Sequence, residues 1–162
     1  PTTPGAFSTT YGGGPAFDGF VARIDDDARK VATIGAGAAP LGAPWASQVR
    51  TLPALASAVY VFDIGFGGTS PGLTIAPGVV VPLNPPYLNL DFGVLVSTAF
   101  PNVIQGFIGT TNAAGEATAI FTPPNDPLLN GVVFWSTAVV LDPASPFGIY
   151  GAAAASSTVL TP

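Results

Sequence analysis

Apolar and polar residues alternate along short stretches of this chain and never settle into a helical period. Between Tyr87 and Phe100, Leu88, Leu90, Phe92, Val94 and Val96 share one parity, while Asn89, Asp91, Gly93 and Ser97 share the other. That is the period of a half-buried strand. Residues 116–122 repeat it, with Ala117, Ala119 and Phe121 set against Glu116, Thr118 and Thr122. Stretches 58–66, 79–83, 103–108, 132–141, 147–150 and 158–160 read as further short strands, separated by turn chemistry at 67–68, 84–86, 112–115, 123–127 and 142–146. Many short strands at such spacing predict an all-β fold, an antiparallel β-sandwich of jelly-roll or Ig-like type.

Two stretches break the alternation. Residues 131–141 (GVVFWSTAVVL) and 78–83 (GVVVPL) are apolar on both parities. Each sheet of a two-layer sandwich has one dry and one wet face, so the outer face of at least one sheet must be covered. Loops could cover it. A second chain would do so more economically, because large exposed apolar patches are rare on monomers. Lys30 is the one lysine, so little edge charge discourages strand addition. The pattern therefore predicts a homo-oligomer or polymer, with Val79, Val81, Val132, Phe134 and Trp135 at the contact.

Composition sharpens this picture. Of 162 residues, 8% are charged, against about 25% in an ordinary soluble domain. Gly (20) and Pro (18) are too frequent for long helices, and they interrupt the uncharged stretches 64–90 and 92–115, which excludes a transmembrane helix. Cys and His are absent, which removes thiol nucleophiles, imidazole bases and Cys/His metal sites. A net charge of −5 with four basic residues argues against nucleic-acid binding. No Asn-x-Ser/Thr acceptor occurs. Pro1 is no translation start, so the chain is read as processed or as a piece of a longer one.

Charge also divides the chain. Seven of its thirteen charged residues precede residue 31. Residues 35–45 (GAGAAPLGAPW) are small and uncharged, so they read as a linker between an N-terminal segment, 1–34, and a sandwich domain, 46–162. Within the segment, Pro4-Gly5-Ala6-Phe7, residues 9–14 and residues 18–25 follow one another in the order seen at the end of an SBBP-type bacterial β-propeller repeat, which residues 1–27 resemble. Pro15, Ala16 and Phe17 depart from that pattern, and the blade's earlier strands are missing. One repeat cannot bury its own faces. The expected two-strand extension, 7–11 and 17–24, must then pair with a sheet edge, in a neighbour or in its own body, and Phe7, Tyr11, Phe17 and Phe20 join the candidate interface.

The body resembles a C-terminal β-sandwich module of secreted, planctomycete-like repeat proteins. The likeness rests on residues 68–72 (GTSPG), 81–84 (VPLN), 113–119 (AAGEATA) and 139–143 (VVLDP). It implies export, residence outside the cell or on its surface, and a binding or structural role. It carries no catalytic residues over.

Candidate chemistry fares poorly. Residues 68–72 fit G-x-S-x-G, but no His exists to take the Ser70 proton, and Pro71 has no N–H for an oxyanion hole. A turn is the better reading. Residues 35–40 (GAGAAP) fall one short of a dinucleotide fingerprint, and Pro40, Gly42 and Pro44 forbid the helix it needs. Asp25-Asp26-Asp27 reads as a solvated turn before it reads as a calcium site. Glu116 and the scattered Asp63, Asp91, Asp126 and Asp142 offer the one source of paired carboxylates. Each Asp falls where turns or polar parity expect it. Trp45, Tyr60, Tyr87, Trp135 and Tyr150 could build a platform for extracellular glycans, although core packing is the default for aromatics on strands. The residues point to a non-catalytic structural protein that self-associates into a filament or layer without a cofactor, and the resemblance implies that it is exported. The alternative is a lectin-like adhesion module.

Overall fold

The computed structural model describes residues 31–52, 54–100 and 102–162. Phe7, Tyr11, Phe17 and Phe20, with the expected two-strand extension, lie outside them. In chain order the strands begin with β1 (Val31–Gly35), β2 (Ala38–Pro40), β3 (Trp45–Thr51) and β4 (Val59–Gly65). β5 (Leu73–Ala76), β6 (Val79–Val81), β7 (Ile104–Gln105) and β8 (Ile108–Thr110) follow. β9 (Glu116–Phe121), β10 (Val133–Leu141), β11 (Ile149–Ala152) and β12 (Ser156–Thr161) close the chain, and one short helix, α1 (Gly93–Ala99), precedes β7. The protein is all-β, as its alternation predicts.

A four-stranded antiparallel sheet runs β1-β3-β9-β7. A six-stranded sheet runs β2-β12-β10-β4-β8, with β11 on β10. One edge of β10 is shared: Val133–Ser136 pairs with β12, and Val139–Leu141 pairs with β11. The sheets pack face to face over a core centred on Phe134, whose ring meets Trp45 and Phe121 edge-on at centroid distances of 5.2 and 5.5 Å. Phe62, also fully buried, meets Phe107 the same way at 5.0 Å. Edge-on contacts suit the aromatic quadrupole and add to plain burial.

Three expectations need correction. Residues 35–45 are no linker. β2 pairs in parallel with β12, Leu41 N–H reaches Thr161 O and Gly42 N–H reaches Pro123 O, so this backbone is bonded into the sandwich. Its small residues serve contact: a Cβ on Gly35 would stand 2.5 Å from Cζ2 of Trp45, whose Nε1 donates to Ala36 O at 2.8 Å. The sandwich accordingly takes in residues 31–45 as well as 46–162, because β1 pairs along its whole length with β3.

Residues 87–100 are not a strand. Only Tyr87 bridges to a sheet, at Gly65, and the chain then turns into α1. Carboxylates hold that turn: Asp91 Oδ2 accepts from Tyr87 N–H, and Asp63 accepts from Asn89 and Leu90 N–H. These bonds give the backbone an alternative to a ladder, which period-two patterning does not register. Finally, 103–108 is split. At Gly106, φ +64°, the chain leaves the four-stranded sheet as β7 and enters the six-stranded one as β8. A Cβ there would stand 2.5 Å from Thr118 O, so glycine is required by space as well as by conformation.

Candidate functional site

The doubly apolar pattern of β10 has a physical cause within the chain. Its inward side chains, Phe134, Ser136, Ala138 and Val140, are completely buried in the sandwich core. Its outward ones, Trp135, Thr137 and Val139, stand opposite Gly65, Asp63 and Val61 of β4. Over this outer face lies a third layer, the hairpin β5–β6. A second apolar cluster of Val81, Leu83 and Tyr87 forms beneath it, with Leu73, Trp135 and Val139 packed alongside.

Hydrogen bonds anchor the third layer. Asn84 donates from Nδ2 to Gly67 O and Ser70 O and accepts from Gly72 N–H at Oδ1, fastening the loop between β4 and β5. Ser70 of the G-x-S-x-G stretch thus belongs to a clamped turn. Gly67 permits it, since a Cβ there would collide with Pro85 O. Tyr87 Oη donates to Leu83 O at 3.2 Å, and Phe66 N–H reaches Pro86 O.

The cover is incomplete. Between the outer face and the third layer remains an apolar cavity of about 170 Å³. Val61 and Asp63 of β4 and Thr137 and Val139 of β10 form its floor. Leu73, Ile75 and Val81 of the hairpin form its roof, and Leu83, Tyr87 and Leu90 close one side. Ile75 and Leu90 are 40% and 59% exposed, so they form the rim.

Asp63 is the one ionisable carboxylate in this lining. Its Oδ1 accepts from Ile64 and Asn89 N–H at 2.8 and 2.7 Å, and its Oδ2 accepts from Leu90 N–H at 3.1 Å. Burial raises its pKa above the ordinary 3.8, the three N–H donors partly oppose this, and Asp91 adds to it. Backbone N–H groups take three of its roughly four acceptor positions, so the group chiefly organises the turn beside the cavity.

The other charged side chains among the described residues are also engaged. Arg50 Nε lies 3.0 Å from Glu116 Oε1, a half-exposed ion pair whose angle falls short of a hydrogen bond. Asp126 accepts from Leu128 N–H, capping the 3-10 turn Pro127–Leu129. Asp142 accepts from Ala144 N–H and Ser145 Oγ. Among the described residues, no group of three or more His, Cys, Asp or Glu is placed to hold a metal ion.

The sequence-derived interface residues are scattered through these layers. Phe134 lies in the chain's own core, and Val81 is buried on the inner side of the hairpin. Trp135, Val79 and Val132 are half-buried, Trp135 against the second cluster and Val132 against the main one. The five aromatics considered for glycans share no exposed face: Trp45, Tyr60 and Tyr87 are buried, while Trp135 and Tyr150 are half-buried. Of the large apolar side chains that do reach solvent, Val80 and Val133 fall in the two doubly apolar stretches, and the rest were not singled out by sequence as interface. Leu90, Phe92, Leu95 and Phe100 are all exposed within residues 90–100, as are Ile108 on β8 and Phe147 in the turn before β11. A strand pattern over 87–100 hid Leu90, Phe92 and Phe100 by placing them on its dry parity, while Leu95 falls on the other. A scan against protein-family models and a search of curated proteins return no match to this sequence.

Proposed function

We propose that this chain is a non-catalytic structural module that self-associates, as part of an exported protein working outside the cell or on its surface. One observation carries the reading. Among the described residues, all six charged side chains serve the fold, whereas thirteen large apolar side chains are exposed. So little charge on the described residues resists association weakly, and among them no acid–base pair stands spare for general catalysis.

Edge strand β8 adds a second supporting feature. Phe62 N–H bonds to Phe107 O and Thr111 N–H to Ala58 O, so Gly109 faces β4 while the backbone groups of Ile108 and Thr110 point away from it. Both side chains are exposed and neither is charged, leaving the edge without the lysine or proline that blunts others. The resemblance of the body to secreted repeat-protein modules supports the exported setting.

Light scattering of the full chain over a concentration series tests the reading. Mass should rise with concentration from the low micromolar range upward. A monodisperse monomer at high micromolar concentration, with concentration-independent thermal stability, would overturn it.

A further inference from the structure

The turn between β10 and β11 places an aromatic residue in a backbone conformation suited to glycine. Gly148 N–H closes on Ser145 O at 3.0 Å, with Pro146 and Phe147 between them. Phe147 has φ 58° and ψ 14°, in the left-handed region that a bulky L residue adopts only under constraint. Its ring is also 67% exposed. Strain and apolar exposure thus coincide at one residue, and glycine would remove both.

On the outer face of the six-stranded sheet the chain holds the complementary shape. The cavity of about 170 Å³ is walled by carbon, and its one carboxylate is occupied by backbone donors. A dry apolar cavity of about 150 Å³ holds a benzene ring, so a phenyl group matches this one in size and chemistry. The chain's own Phe147 does not fill it, because that ring stands in solvent. We infer that the Phe147 ring of one copy seats in this cavity of the next. A knob and a hole on one copy can close a reciprocal pair, each ring in the other's cavity, or repeat head to tail into rings or open filaments. The inference rests on the self-association reading and gives it a contact.

Phe147→Gly removes the knob and Val61→Phe fills the hole. Phe147→Gly should melt no lower than the parent chain, because glycine accepts φ 58°, yet its association constant should fall about tenfold or more, as for a lost central anchor. Val61→Phe alone should fail to associate likewise. Mixed in equal amounts, the two should form heterodimers that grow no further, since one intact knob meets one intact hole. Association of Phe147→Gly at the parent's strength, or a mixture that stays monomeric, would overturn the inference while leaving self-association standing. A monomeric parent chain would overturn both.

Discussion

β3 and β4 are each seven residues long and face one another across the same core, yet they carry opposite patterns. On β3, buried Trp45, Ser47, Val49 and Thr51 alternate with Ala46, Gln48 and Arg50, which face water or are half-covered. On β4, Tyr60, Phe62 and Ile64 face the core, and of the outward-facing residues Asp63 is buried and Val61 half-buried, while Val59 at the strand's start is exposed. The difference follows from layers: water lies outside the four-stranded sheet, and the β5–β6 hairpin lies outside the six-stranded one. Alternation reports burial on one side, and its loss reports a cover. What the pattern does not report is whose cover it is.

Substitutions on successive layers should rank accordingly. Phe134→Ala empties the centre of the main core and should cost about 3–5 kcal/mol in urea unfolding. A loss below about 1 kcal/mol would mean that the two sheets do not depend on this ring. Leu83→Ala strikes the cluster under the hairpin. Its cost should be nearer about 2–3 kcal/mol, because a hairpin held on one side can settle towards the sheet. Amide exchange should accelerate in β5 and β6 and not in β3, so uniform acceleration would abolish the distinction between the layers.

Asp63→Asn tests the floor of the cavity. An amide accepts through one oxygen and brings an N–H₂ against Leu90 N–H, so a cost of about 1–3 kcal/mol is expected. Asp63 also sets a pH dependence. The unfolded chain releases this proton near the ordinary 3.8, while the folded chain retains it to higher pH. Between those values the folded state binds more protons, so this residue's contribution to stability is fully present below 3.8 and is lost as pH rises through the raised value. Unfolding midpoints measured from about pH 3 to about pH 7 should carry that decline in the parent chain and lose it in the variant. An identical slope in both would assign the dependence elsewhere. Smallest of all, Glu116→Gln on the wet face of the four-stranded sheet should change stability by no more than about 0.5 kcal/mol, since half-exposed ion pairs contribute little. A larger loss would show that this face is not simply solvated.

The all-β class was legible along the chain, because alternation, turn residues and scarce charge are local properties that every short strand repeats. So was the need for a cover on the outer side of β10, from VVFWSTAVVL alone. Three features were settled only by the tertiary structure. Gly35–Ala39 became part of the sandwich because small residues let the backbone close over Trp45, a contact between residues ten apart that composition reads as flexibility. Residues 87–100 turned into a loop and helix because Asp63, far away on β4, accepts their N–H groups. The cover on β10 came from the chain's own hairpin because Asn84 fastens its loop. Each of these depends on a polar or steric contact between distant residues, and a pattern read along the chain carries no information about which distant groups will meet.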